Sequence, residues 1–147
     1  MASGLQLLYL LDTNVLSNAL ARQPDAGVQA CIARSTGRMA MPAPVWQELR
    51  YGWLLMPEGQ RKNRHGVYLH NVVARLPVLA YDREAASLHA EQRAACERAG
   101  RMRPATDSLI AAIAVANNLS LVTRNTRDFQ GIADLKVENW FSVAPDS

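Results

Sequence analysis

The sequence predicts an α/β fold: a three-layer α/β/α sandwich around a short, mainly parallel central sheet, built as one domain over residues 1–147. Two patterns lead to this prediction. Short apolar segments alternate with longer helix-like segments along the whole chain, as in parallel sheets whose strands are joined by helices. The first of these segments, LLYLL at residues 7–11, is apolar or aromatic throughout, as expected of a strand covered on both faces. Residues 1–4 are taken as a short disordered lead.

The strands are predicted where apolar segments stand between turn residues or helix caps, over residues 7–11, 38–41, 77–80, 119–123 and 136–139. Helical patterns fill most of the remainder, over residues 13–21, 25–34, 44–55, 57–74, 83–99 and 105–117, with a turn or short helix over 125–130. Pro44 suits the first helical turn, where its missing N–H costs nothing. Asp82 is a helix cap, and Gly100 ends the fifth helix because glycine tolerates left-handed geometry.

The charge of the chain gives only weak guidance to function. The formal net charge is +3, and the basic residues are concentrated in RKNRH, ERAGRMRP and TRNTRD. A single charged segment is usually a solvated face, so none of the three indicates a ligand by itself. Cys31 and Cys96 lack metal-ligand spacing, and the apolar start is too short for a signal peptide or a membrane span. A cytoplasmic protein without a membrane segment is therefore expected.

Four acidic residues lie where a solvated carboxylate is unexpected. Asp12 ends the first strand, Glu48 lies in an apolar-rich helix, Asp107 opens the very apolar helix over 105–117, and Asp128 follows the fourth strand. Each has an ordinary explanation as a cap or a surface residue. However, the first and fourth strands are the natural pair to flank a reversal of strand order, where ligands bind in such sheets. We therefore expect these acids to meet in one cleft.

Several carboxylates in one cleft repel one another and need a positive charge between them. Oxygen-only ligation suits Mg²⁺ or Mn²⁺. Zinc is disfavoured, because the histidines, His65, His70 and His89, show no zinc-binding motif. The sequence thus predicts a divalent-cation site.

Four segments resemble a known family: LLDTNVLS, VWQELRYG, PATDSLIAAIA and LVTRNTRDF. In this order and spacing they are similar to the PIN-domain ribonucleases, above all to the VapC-type toxins of bacterial toxin–antitoxin systems. The resemblance extends over essentially the whole chain, to LKVENW. It implies a PIN-like fold and an endoribonuclease that depends on Mg²⁺ or Mn²⁺. It also implies a homodimer inhibited by a VapB-like antitoxin protein.

The resemblance also assigns site residues. The invariant acids of the family fall on Asp12, Glu48 and Asp107, and its variable fourth acid falls on either Asn125 or Asp128. Since Asn125 is an amide, Asp128 is the better candidate. Asp12 and Asp107 are expected to hold the ion, with Glu48 and Asp128 completing its shell. Thr123 and Asn125 are expected to position water or phosphate, and the arginines nearest the acids in sequence are expected to contact RNA: Arg101, Arg103, Arg124 and Arg127.

Two other classes of function are compatible with an aspartate after an apolar strand. A phosphoacceptor domain, either a receiver or a haloacid-dehalogenase-like phosphatase, is disfavoured because its other charged residues are missing. A catalytically silent interaction module stays open. For interactions, Trp53, Leu54, Leu55 and Met56 point in four successive directions around a helix. Part of this set is therefore expected on the surface, beneath a dimer partner or an antitoxin helix, with Trp53 turned away from Glu48.

Overall fold

The computed structural model describes residues 5–142. Its strands are β1 (Tyr9–Leu11), β2 (Met39–Pro42), β3 (Val78–Leu79), β4 (Ser120–Val122) and β5 (Lys136–Glu138). Its α-helices are α1 (Thr13–Ser17), α2 (Ala26–Arg34), α3 (Ala43–Leu55), α4 (Gln60–Asn71), α5 (Arg83–Arg98) and α6 (Ala105–Ala116). Short 3₁₀ helices span Asn18–Leu20, Val73–Arg75 and Thr126–Phe129.

The strands form one sheet in the order β3-β2-β1-β4-β5, and every neighbouring pair is parallel. In register, Leu10 lies opposite Ala40 on one side and opposite Leu121 on the other. From β1, the chain first builds the sheet toward β3 and then returns to add β4 and β5 on the opposite side. The strand order therefore reverses between β1 and β4, as the sequence predicts, and the carboxyl ends of these strands form one edge.

Both faces of this sheet are covered. Leu10 and Leu11 are successive residues of β1, so their side chains point to opposite faces, yet both are fully buried. Leu121 and Val122 show the same pattern in β4. Helix α6 contributes a buried run from Ile110 to Ala114. Burial on both faces of a parallel sheet confirms the predicted three-layer arrangement.

The strands and several helices are shorter than the sequence patterns suggest. The apolar segment over 7–11 contributes only Tyr9–Leu11 to β1, because Leu7 and Leu8 precede the paired residues. The helix predicted over 57–74 begins at Gln60, after Gly59, whose φ is 152°. Its last turn becomes the 3₁₀ helix Val73–Arg75. Within residues 5–142, no helix is both long and apolar enough to cross a membrane.

Candidate active site

Asp12 lies at the edge where the carboxyl ends of β1 and β4 meet. Its backbone N–H donates to the carbonyl of Val122 at 3.0 Å, which extends the β1–β4 ladder by one residue. Its side chain also caps α1, since Oδ1 accepts from the backbone N–H of Thr13 at 2.8 Å. The second oxygen, Oδ2, accepts from Oγ1 of Thr123 at 2.8 Å. Asp12 is thus a helix cap, as its position suggests, and also a carboxylate held in one orientation at the switch point.

The pKa of Asp12 is raised above its ordinary value. Burial is the main cause, and the hydrogen bonds from Thr123 and Thr13 oppose it. The negative charges of Glu48 and Asp128 raise the pKa further. The charged form of Asp12 is therefore destabilised by its surroundings.

Glu48 comes to this edge from α3. Its Oε1 atom accepts a 2.9 Å hydrogen bond from Oγ1 of Thr13, which joins α3 to the first turn of α1. The side chain is exposed, although the neighbouring Val45 is fully buried. The expectation that Glu48 lies among apolar neighbours is therefore wrong for its carboxylate, since α3 turns this position toward the open cleft.

Asp107 lies in the first turn of α6 and is half-buried. Its pKa is raised, first by burial and then by the charges of Asp128, Asp12 and Glu48, while Arg103 lowers it. Each of the other three acids is therefore near enough to act on Asp107. The charges of these four carboxylates, which come from four separate elements, thus act on one another; we call Asp12, Glu48, Asp107 and Asp128 the acidic cluster.

The two candidates for the fourth acidic position behave differently. Asp128 lies in the 3₁₀ helix Thr126–Phe129, is exposed, and its charge raises the pKa of both Asp12 and Asp107. Asn125 also has an exposed side chain, but its backbone N–H donates to Oγ1 of Thr123 at 3.1 Å. Asp128 thus contributes negative charge to the cluster, whereas Asn125 contributes a backbone donor that helps to hold Thr123.

The donor set of the acidic cluster fits a hard divalent cation. It offers carboxylate oxygens alone, which Mg²⁺ and Mn²⁺ prefer, and the unfavourable charge on Asp12 and Asp107 is what such an ion would relieve. Over residues 5–142, no three His, Cys, Asp or Glu side chains form a ready-made metal-binding group. In proteins, Mg²⁺ needs only one or two carboxylate ligands, because it retains several of its waters.

Two polar residues of the site are missing from the sequence prediction. Thr13 holds Glu48, as described above. Asn14 joins the ends of β1 and β4, because its Oδ1 accepts from the N–H of Arg124 at 3.0 Å and its Nδ2 donates to Thr123 at 3.3 Å. The sequence feature that identifies both residues is their position directly after Asp12, at the end of a buried strand, where side chains face the same edge of the sheet as Asp12.

The four arginines predicted to contact RNA differ in their surroundings. Arg103 donates to the carbonyls of Asp128 and Gln130, and so ties the residues before α6 to the turn that carries Asp128. The guanidinium of Arg124 lies over the ring of Phe141, 4.8 Å from its centre. Arg101 and Arg127 are exposed. Arg101 and Arg127 are thus the more accessible of the four arginines, whereas Arg103 is the one whose charge acts on Asp107.

A groove of about 370 Å³ opens beside Glu48, between the first turns of the chain after β1 and helices α3 and α4. Its lining is largely apolar, with Leu20, Leu49, Met56, Leu69 and Val73 among the contributors. Charged and polar side chains line it as well, namely Glu48, Arg61 and His65. The groove therefore has an apolar floor with negative and positive groups on its walls.

Trp53 also lines this groove, which contradicts the expectation that it turns away from Glu48. Its indole N–H donates to the carbonyl of Lys62 at 2.9 Å, and its ring packs against Gly66 of α4. Leu54 and Leu55, in contrast, are 52% and 66% exposed. The expected surface exposure of part of this segment is confirmed, but Trp53 joins α3 to α4 and is not the exposed residue.

Comparison with known proteins gives concordant matches. The family model described as PIN domain matches residues 9–135. The "tRNA(fMet)-specific endonuclease VapC" of Shigella flexneri is 32% identical over 134 residues, which cover 91% of this chain and 98% of that protein. The solved FitAcB structure from Neisseria gonorrhoeae matches with a TM-score of 0.83 and 31% identity over 92% of this chain and 100% of that one. VapBC2 from Rickettsia felis, bound to a DNA fragment from its promoter, matches with a TM-score of 0.78 and 27% identity over 91% and 99%.

Proposed function

Since the chain belongs to the PIN-domain family and is a ribonuclease of the VapC type, we propose that it hydrolyses RNA phosphodiesters at the acidic cluster with the help of Mg²⁺ or Mn²⁺. The observation that carries the assignment of the site is the placement of Asp12. Its N–H bonds to Val122 where β1 and β4 end, and its carboxylate is held by Thr13 and Thr123. Acids from four elements act on one another at the edge where β1 and β4 end, which is where ligands bind in open parallel sheets.

The four acids of the cluster have different proposed roles in binding the ion. Asp12 and Asp107 would hold the ion, with Glu48 and Asp128 completing its shell directly or through water. A bound ion of this kind lowers the pKa of water and offsets negative charge on the reacting phosphate. Glu48 uses one carboxylate oxygen to accept the Thr13 hydrogen bond, so the other is available to the ion or to water. Thr123 is fully buried and its hydroxyl donates to Asp12, so it orients Asp12 more directly than it can contact RNA.

Substrate RNA would approach across the basic residues around this cluster. Arg101 and Arg127 are exposed and are the first candidates for phosphate contacts. Arg103 and Arg124 are also proposed to contact RNA, but their guanidinium groups already make contacts within the protein. Asn125, whose side chain is exposed, would position phosphate or water by hydrogen bonding.

The function also includes a protein partner. The chain is a toxin component related to proteins that were solved as toxin–antitoxin complexes, including VapBC2 of Rickettsia felis. We place the antitoxin segment in the groove beside Glu48. The apolar floor suits the apolar face of a helix, Arg61 and His65 suit acidic side chains on that helix, and a basic side chain at its end would reach Glu48 and the acidic cluster.

Two further properties belong to this proposal. A homodimer would cover exposed apolar residues of α3, namely Tyr51, Leu54 and Leu55. A cytoplasmic location agrees with an RNA substrate and with the free thiols of Cys31 and Cys96. Of the alternative functions, the phosphoacceptor domains are excluded by the family assignment. Cleavage of RNA by the purified protein would exclude the silent interaction module.

The direct experiment is cleavage of total RNA by the purified protein, with and without EDTA, followed by sequencing of the new ends. The name of the Shigella flexneri relative makes initiator tRNA the first defined substrate to test. We expect cleavage that needs Mg²⁺ or Mn²⁺ and that is lost in Asp107→Asn. Metal-dependent cuts that persist unchanged in Asp107→Asn would contradict the proposed role of Asp107, unless a mock purification makes the same cuts and so reveals a contaminating nuclease. No cuts from any preparation free of antitoxin would favour the silent module.

A further inference from the structure

Asn14 spans the gap between the ends of β1 and β4 with its side-chain amide. Its Oδ1 atom accepts a hydrogen bond from the backbone N–H of Arg124 at 3.0 Å, and its Nδ2 atom donates to Oγ1 of Thr123 at 3.3 Å. A backbone N–H can only donate, so the Arg124 contact determines which way round the amide lies. The orientation of Asn14 therefore directs its N–H group at Thr123.

Thr123 is fully buried, and three polar groups surround its hydroxyl. Oγ1 accepts from Nδ2 of Asn14 and, at 3.1 Å, from the backbone N–H of Asn125. A hydroxyl has two lone pairs and one proton. Because both neighbours are donors, the lone pairs are used, and the proton is left for Oδ2 of Asp12 at 2.8 Å.

We propose that Asn14 is a positioning residue for the metal ligand Asp12, acting through the hydroxyl of Thr123. Asp12 receives one hydrogen bond on each oxygen, from Thr13 on Oδ1 and from Thr123 on Oδ2. These bonds hold the carboxylate in place and leave a lone pair on each oxygen for a cation. Removing a group that orients a ligating side chain in this way typically lowers metal affinity about 10- to 100-fold.

The inference rests on the proposed function, because it concerns how tightly the acidic cluster binds a divalent ion. The test measures Mn²⁺ binding to the full-length protein by electron paramagnetic resonance, without RNA and without any activity assay. The variants are Asn14→Ala, Thr123→Val and the double variant. We expect each single change to weaken Mn²⁺ binding about 10-fold. The Mn²⁺ affinity of the double variant should be no lower than that of the more impaired single variant, because Asn14 acts through Thr123.

A matched control separates positioning from general damage. Asn18 also accepts a backbone N–H, that of Asp25, and it holds the next segment of chain without contacting the acidic cluster. Asn18→Ala should therefore lower the melting temperature as Asn14→Ala does, but leave Mn²⁺ affinity unchanged. If Asn14→Ala does not fold, Asn14→Asp takes its place, since a carboxylate of the same shape can accept from Arg124 but cannot donate to Thr123.

The outcomes differ clearly. Mn²⁺ binding to the Asn14 variant at wild-type affinity would overturn the inference, as would losses that multiply in the double variant. An equal loss of Mn²⁺ affinity in Asn18→Ala would overturn it too, because the effect would then be general. Failure of the wild-type protein itself to bind Mn²⁺ would overturn the metal site of the proposed function, and this inference with it.

Discussion

Thr13 and Glu48 are joined by a 2.9 Å hydrogen bond between Oγ1 and Oε1, although 35 positions separate them in the chain. The bond connects the first turn of α1 to α3 and holds an exposed carboxylate at the edge of the acidic cluster. An exposed glutamate otherwise has several rotamers of similar energy. Thr13 thus reduces the freedom of Glu48 before any ligand binds.

Replacing Thr13 by valine should therefore lower the rate of RNA cleavage without unfolding the protein. Valine keeps the shape of threonine but cannot donate, and a hydrogen bond of this kind contributes about 0.5–1.5 kcal/mol. We expect kcat/KM to fall roughly 3- to 10-fold. Thr13→Ser, which keeps the hydroxyl, is the control and should retain most of the activity. Full activity in Thr13→Val would show that Glu48 does not need this contact.

Asp107→Asn should abolish cleavage and stabilise the metal-free protein at neutral pH. The folded-state pKa of Asp107 is raised above its ordinary value of 3.8, so the folded state binds this proton more tightly than the unfolded state. Stability is then lost as the pH rises from 3.8 through the folded-state pKa, and it stays lower at neutral pH. The amide removes this loss, so the melting temperature of the variant should exceed that of wild type at pH 7 and approach it near pH 4.

Asp12→Asn is a poorer test of the same idea. The amide would turn a donor toward Thr123, whose proton now goes to Asp12, and a buried hydroxyl would lose its acceptor. Asp107 accepts no hydrogen bond from within residues 5–142, so its replacement changes little besides charge.

In Asp107→Asn, loss of the ion's contribution of several kcal/mol predicts at least about a 100-fold fall in cleavage. Retained activity together with a lowered melting temperature would return Asp107 to a helix-terminus role.

Much of this site could be predicted from local sequence, and the remainder depends on contacts between distant segments. Asp12 is identifiable because it follows a wholly apolar strand. Asp25, which lies outside the site, caps α2 through the N–H of Val28. The same Asp25 also accepts two hydrogen bonds from Ser142, 117 positions away, which lower its pKa to about 2. No local pattern predicts such a partner.

The same distinction explains the residues that the sequence misplaced or missed. Asn14 bonds to Arg124 across 110 positions, and its amide is informative only once β1 and β4 are known to be neighbours. Glu48 was expected among apolar residues because α3 is rich in them, but the exposure of one position depends on the rotation of that helix. Trp53 was expected to face away from Glu48 by helical angle alone, yet α4 packs beside it and gives both residues one groove.

Divalent ions should stabilise the folded protein. A ligand that binds only the native state adds RT ln(1 + [L]/Kd), about 2.7 kcal/mol at a hundredfold excess over Kd. Thermal unfolding with millimolar Mg²⁺ or Mn²⁺ should therefore shift upward, and the shift should shrink in Asp107→Asn. Ca²⁺ at the same concentration tests whether size and hydration matter. A melting curve that no divalent ion moves would remove the main support for a metal site at the acidic cluster.

Charge reversal at Arg61 should weaken antitoxin binding. Arg61 lines the groove beside Glu48, whereas Arg64, three residues later on α4, is exposed and does not line it. If acidic side chains of the antitoxin face Arg61, then Arg61→Glu should weaken the complex by about 10-fold or more, and the weakening should diminish at high salt. Arg64→Glu carries the same change of charge and should bind nearly as wild type. Equal effects of both variants would indicate long-range attraction and not a contact in the groove.

The exposed face at the end of α3 should mediate self-association. Tyr51 and Leu55 lie one helical turn apart and are 57% and 66% exposed, and Leu54 adds to the same apolar surface. Trp53 packs against α4, so its replacement would disturb the fold. Leu55→Glu places a charge on the exposed face and should convert a dimer into a monomer in light scattering at micromolar concentration. Met102→Glu adds the same charge at a residue that is 73% exposed but lies between α5 and α6, and it should leave the dimer intact.

Because Leu55 is two turns, about 10 Å, from Glu48 along the helix axis, the metal-induced rise in melting temperature should persist in Leu55→Glu. A wild-type protein that is monomeric at micromolar concentration would assign this apolar face to another partner and remove the dimer from the proposed function.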